Sequence, residues 1–261
     1  MMKHLTLLVA AAFAFCASAT AQNRVRTLST YAQRLNVEQL QTSETPVEVT
    51  RLLFAGYNTL CLPLSLSAEQ LQAAAPGLRV ERLSAMLQEQ NVVNLYFLEC
   101  TNQGIEAGVP YIVFSPKTQT LRASTANATA VSTQLLPVTL NDQLGNRIIF
   151  SSSWETLPGT DNRFGIPAKQ NVEVLESILV RTDDNKTFLP TRCGFTWEQQ
   201  STTATEIQVK HAASIAEIAT AIQSVEGKKS STSVIYDMSG RRTTATQRGL
   251  YVIDGKKTAV K

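Results

Sequence analysis

The sequence predicts an all-β fold: a β-sandwich-like module with one short helix, a linker, and a small C-terminal β-hairpin element. Three observations predict it. Short apolar runs of strand length recur through the middle of the chain, separated by turn residues. One segment, SLSAEQLQAAAPG, carries both a helix start and a helix stop. The end of the chain, RGLYVIDGKKTAVK, places Asp-Gly between two short strand-like runs, the favoured type I′ hairpin signal.

The elements follow in order. MMKHLTLLVAAAFAFCASATAQN has Lys3 as a positive head, an apolar run from Leu5 to Ala17, and Ala19-Thr20-Ala21 as an A-x-A cleavage site. This three-part pattern is a secretory signal peptide, residues 1–21, with the mature chain starting at Gln22. Cys16 follows Phe15, a poor fit to a lipoprotein signal, so it leaves with the peptide. No later run is long and apolar enough to span a bilayer.

The β-rich module spans 22–200. TPVEVTRLLFAG alternates Val47, Val49 and Arg51 or Leu52 and stops at Gly56. YNTLCLPLSL is extended, with Pro63 placing it at an edge or bending it. In the helix, Ser67 and Gln70 match a capping box, and Pro76-Gly77 ends it. LRVERLSAMLQEQ fits strand and helix equally. NVVNLYFLEC and VPYIVFS are strands, and KTQTLRASTANATAVST reads as a loop with one edge strand. QLLPVTL, RIIFSSSW, VEVLESILVRT and TFLPTRCGFTW complete the strands, with TDDNKT as a turn. Residues 201–232 form a polar linker, extended or partly helical, with Ser214 and Glu217 as a second capping box. Residues 233–261 are β again, and such a hairpin alone is only marginally stable.

Composition narrows the function classes. From Gln22 to Ser224 there are 15 Lys/Arg against 18 Asp/Glu, and from Val225 onward 8 against 3, so a mildly acidic body carries a basic tail. Scattered basic residues with no aromatic or Gly-rich recognition motif do not make a nucleic-acid platform. The mature chain retains one histidine, His211, in the polar stretch QVKHAAS, which gives no sign of a Ser-His-Asp or Cys-His arrangement. Cys61, Cys100 and Cys193 remain. Cys61 and Cys100 either pair, if their strands are neighbours, or stay as buried thiols. Their spacing matches no zinc motif, and no cofactor is expected.

Two regions carry a resemblance. VTRLLFAGYNTLCLPLSLSAEQL, IEAGVPYIV and FLPTRCGF together resemble a β-rich module of secreted and surface proteins of the Bacteroidetes. Tyr57 stands where that pattern has Trp, Leu64 where it has Phe, and Cys193-Gly194 where it has Ala-Tyr. The resemblance implies no general activity. In NTLCLP, alternation sends Leu60 and Leu62 to one face and Cys61 to the other, so both faces should be buried. VIYDMSGRR and RGLYVIDGKKTAVK resemble the C-terminal sorting signal of type IX secretion substrates. Tyr236, Asp237, Gly240 and Arg241 match its first strand, Gly249 and Tyr251 its second, and Lys256, Lys257 and Lys261 its third. That resemblance implies the secretion machinery as a partner.

The function expected from sequence is therefore an exported, non-enzymatic surface or secreted β-module, acting by binding or as a structural component. It would cross the periplasm to the cell surface or the medium. A surface glycan or another surface protein is the expected partner class; nucleic acid is not. Two alternatives stand. A carbohydrate-binding module would use Tyr57, Trp154 and Trp197 as an aromatic platform. A hydrolase using two carboxylates would need no histidine, but the acids, Glu99, Glu106 and Glu155 among them, show no pairing in sequence.

Overall fold

A computed structural model describes residues 25–142, 144–167, 179–199, 204–229, 235–236, 241–243, 249–253 and 256–260. The chain opens with β1 (Arg26–Ser29), α1 (Glu38–Thr42), β2 (Val47–Leu53), β3 (Gly56–Leu60), β4 (Leu64–Ser65) and α2 (Ala68–Ala74). Next come β5 (Arg79–Glu89), β6 (Val92–Glu99), β7 (Tyr111–Ser115), β8 (Gln119–Ser124), β9 (Ala130–Val131), β10 (Val138–Asn141) and β11 (Arg147–Ser152). Then follow β12 (Leu157–Pro158), β13 (Arg163–Gly165), β14 (Val180–Arg181), β15 (Thr187–Phe188), β16 (Cys193–Glu198), β17 (Glu206–Ala212) and α3 (Ile215–Lys229). The chain ends with β18 (Ile235–Tyr236), β19 (Arg242–Thr243), β20 (Gly249–Ile253) and β21 (Lys256–Val260). The all-β, sandwich-like class expected from sequence is the architecture found.

Three layers stack. The central one is a five-stranded sheet in the order β17-β6-β5-β7-β3. Against one face lies the sheet β10-β11-β16-β13-β14. Their shared core includes Phe97, Phe150 and Phe195, with Phe150 stacked on Phe195 at 4.3 Å and Phe97 edge-on to both. Against the other face lie the sheet β1-β2-β8 and α2, around Val49, Leu71, Val80 and Val113. NTLCLP is buried on both sides because it runs between these cores: Leu60 and Leu62 enter one, Cys61 the other.

Local signals explain several elements. Ser67 accepts from the Gln70 N–H while the Gln70 side chain accepts from the Ser67 N–H, the reciprocal capping box that starts α2. The stretch that fitted strand and helix equally is β5. A register shift between Leu83 and Ala85 puts Glu81, Leu83, Met86 and Gln88 on one face, so a three-residue step interrupts the period of two. Asp183 accepts from the Asn185 N–H, closing the TDDNKT turn as its composition suggested.

Residues 206–212 differ from the linker expected there. They form β17, which pairs in parallel with β6 from Glu206↔Val92 to Ala212↔Leu98. Helix α3 then folds back so that Ile218 packs on Tyr96, Leu98 and Ala212. The polar alternation of β17 hid this, because an edge strand buries only one side. The partly helical alternative for residues 201–232 corresponds to α3, where the Glu217 N–H donates to Ser214 Oγ; α1 is additional. Most of VEVLESILVRT lies outside the described residues, with β14 as its described end. The C-terminal segment forms the sheet β19-β18-β20-β21, with β20 and β21 antiparallel; Asp254-Gly255 between them lies outside the described residues.

Candidate functional site

The fold brings the resemblance-bearing segments together. The Cys61 N–H donates to the Thr191 carbonyl at 3.0 Å, and the Cys193 N–H donates to Thr59 Oγ1 at 2.9 Å. The Gly108 N–H donates to the Leu62 carbonyl at 2.8 Å. Gly108 has φ +79°, and an added Cβ would lie 2.1 Å from the Gln134 carbonyl oxygen, so only glycine fits. NTLCLP, AGVPY and LPTRC thus form one interlocked unit.

Thr191 lies at its centre. It is fully buried at φ +67°, an unusual region for a β-branched residue. Its N–H donates to Ser153 and its carbonyl accepts from Cys61, so the loop is pinned from two sides. Strain held in place this way is a feature of functional loops. The next residue is Arg192.

Arg192 lines a cavity of about 240 Å³ with Thr59, Cys193, Phe188, Ile166, Pro167 and Val180, and with Arg181 and Lys186. Among the described residues, no acidic side chain lines it. Phe188 is seated by glycines. Gly165 and Gly194 face the same ring, where an added Cβ would come within 2.8 and 3.0 Å of it. Gly194, one of the departures from the resembled pattern, therefore makes room for the aromatic wall.

Arg51, one of the inward-facing residues of β2, lies close to Arg192 and is 2 % exposed. Its Nε and Nη1 and the Arg192 Nε are buried without hydrogen-bond partners. Burial, and then repulsion from Arg192, lower the Arg51 pKa to about 10. Burial lowers Arg192 as well. Burial pushes Cys193 up to about 12 and raises Cys61 well above the ordinary thiol value. The Arg51, Cys61 and Cys193 side chains all lie deep in the interior. All three described cysteines are free and buried, and the neighbour of Cys61 is Cys193 rather than Cys100.

A second cluster lies in the central sheet. Glu81 is 4 % exposed and hydrogen-bonds His211 Nδ1. Tyr57 stacks on the imidazole at 4.2 Å. Tyr57 is on β3 and His211 on β17, the two edges of this sheet. In a flat sheet they would be about 19 Å apart, so the sheet is rolled and its edges meet through this stack. Burial, followed by the Glu81 charge, pushes the Tyr57 hydroxyl up to about 12. Sequence reasoning missed this cluster. The one signal was an inward-facing Glu within an alternating strand, but its partner lies 130 residues away.

The aromatic platform that the carbohydrate-binding alternative would use does not form. Tyr57 and Trp197 are each 5 % exposed, and Trp154 is half-buried, donating its indole N–H to the Thr133 carbonyl at 2.8 Å. Strand pleating is the reason. Tyr57 shares the inner face of the rolled sheet, and Trp197 follows Cys193 and Phe195 on the inward side of β16. Of the sorting candidates, Tyr236, Arg241 and Lys257 are exposed. Gly249 and Tyr251 lie on β20, opposite Val260 and Thr258. Asp237, Gly240 and Lys261 lie outside the described residues.

Among the described residues, no group of three or more His, Cys, Asp or Glu side chains is placed to hold a metal ion, and no helix is long and apolar enough to cross a membrane. No protein-family model, curated protein or solved structure matches this chain.

Proposed function

We propose that this chain is an exported, non-enzymatic β-module that acts by binding, displayed on the cell surface or released from it. The observation that carries this reading is the cavity at Arg192. A strained and doubly pinned loop holds a cation with an unpartnered Nε against an apolar wall. Such a concave, mostly apolar site with a few fixed polar groups suits a ligand. The export half rests on the leader and on the resemblance of residues 233–261 to a type IX sorting signal. In that role the tail offers paired backbone and basic side chains to the secretion machinery.

The two halves are tested separately. Deletion of residues 233–261 should retain the protein in the periplasm; unchanged surface display overturns the sorting role. For binding, the chain from Gln22 onward is screened on a glycan array and, by thermal shift, against small metabolites. Absence of any saturable ligand overturns the binding reading.

One observation favours a second reading, a carboxylate-dependent hydrolase. Glu81 and Glu99 are cross-strand partners on antiparallel β5 and β6, and His211 bonds the first. Turnover of an aryl-glycoside panel that disappears in Glu99→Gln would establish this reading. Lack of turnover removes it.

A further inference from the structure

We propose that the cavity under Phe188 is a receptor for a small organic carboxylate with an apolar body, gripped by Arg192 at its floor and by Arg181 and Lys186 at its rim. This rests on the reading of the chain as a binding module and names the ligand class of that site. Three observations converge on it.

The first is charge. Among the described residues, three cationic side chains and no acid line this cavity, and none of the three cations takes part in an ion pair. The second is unmet hydrogen bonding. Arg192 is a cavity-lining guanidinium whose Nε has no partner within the fold. A guanidinium left with unused donor capacity is suited to an acceptor that a ligand brings. A planar carboxylate matches the guanidinium fork.

The third is the wall. Phe188, Ile166, Pro167 and Val180 are apolar, and Val180 is 43 % exposed. Inorganic phosphate would leave these residues uncovered. A sugar acid would need several hydroxyl partners, and the wall offers few besides the Thr187 hydroxyl and the Thr59 proton. Thr182 Oγ1 donates toward the Thr160 and Arg163 carbonyls, and Thr59 Oγ1 accepts from the Cys193 N–H. At about 240 Å³ the space is smaller than the pockets of drug-sized ligands. A single ring or a short chain fills it.

The test uses the chain from Gln22 to Lys261 and benzoate as probe, with benzamide, glucuronate and inorganic phosphate as comparisons, read by calorimetry. Benzoate should bind at least tenfold more tightly than each comparison compound. Arg192→Gln should weaken it tenfold or more. The paired rim change Arg181→Gln with Lys186→Gln, at exposed positions that leave folding intact, should weaken it several-fold and flatten its salt dependence. Equal binding of benzamide or phosphate overturns the proposal, as does wild-type affinity in both variants. If benzoate is silent while a glycan or another metabolite binds, the carboxylate receptor falls and the binding module stands. If nothing binds, both fall.

Discussion

Glu81 and Arg51 lie almost equally deep, at 4 % and 2 % exposure, yet their surroundings differ. Glu81 has His211 on its carboxylate and Tyr57 over the imidazole, so its charge is answered within the fold. Arg51 has another arginine as its neighbour and two nitrogens without partners. A buried charge that is paired can serve to hold strands together; one left unpaired lowers stability and is retained where something else requires it. The comparison separates a buried group matched inside the fold from one whose neighbours leave it unmatched.

The largest effect should come from breaking the paired cluster. His211→Ala leaves Glu81 buried without its partner and opens the seam between β3 and β17, at a cost of about 3 kcal/mol. Urea denaturation measures it, and a loss under 1 kcal/mol would show that the stack does not close the sheet. Arg51→Met should act in the opposite direction, stabilising the ligand-free protein by about 2 kcal/mol at neutral pH. The fall in its pKa from 12.5 to about 10 has the same sign and corresponds to about 3 kcal/mol. Between those two values the unfolded chain binds a proton that the folded chain does not. The penalty is therefore fully present below pH 10 and fades as pH rises toward 12.5. The advantage of Arg51→Met should shrink across that window, and an advantage independent of pH would contradict the assignment.

Thiol chemistry sharpens the comparison further. Cys61 and Cys193 lie deep in the interior, as Arg51 does, and their thiols are held above the ordinary range. Native protein should react with a disulfide reagent at pH 8 at least 100-fold more slowly than a free thiol, and all three should react in denaturant. Fast native labelling would mean that water reaches Arg51 after all. The smallest effect belongs to a pair at the surface. Arg34 and Glu155 meet at 3.3 Å with side chains 72 % and 58 % exposed. Arg34→Ala should change stability by less than about 0.5 kcal/mol. A larger loss would show that pairing itself, rather than burial, sets the contrast.

The sequence announced much of the scaffold but little of the candidate site. The capping box at Ser67 and Gln70, the alternation through Val47 and Val49, and the Asp-rich turn at 183–185 are short-range signals, and the structure carries each of them. The two-sided burial of NTLCLP was also legible, because alternating apolar residues with no polar face need two cores. Arg51 and Arg192 were visible only as members of familiar-looking strings. Neither string says that its arginine is buried, unpartnered and next to the other. The burial of Tyr57 and Trp197 is what their place within strands favoured, but an aromatic in a strand points inward or outward according to register, which only the packed sheets fix.

What the sequence determined by itself is local: where strands and the α2 helix begin and end, which faces are apolar, and that the ends of the chain differ in charge and pattern from its body. These follow from backbone preference and periodicity, which act over a few residues. Tertiary structure alone decided that β17 joins the central sheet beside β6, that this sheet rolls until His211 meets Tyr57, and that two arginines 141 positions apart by their numbers come close enough to repel each other in the interior. Those outcomes depend on burial and on contacts between distant segments, and both exist only once the layers have packed.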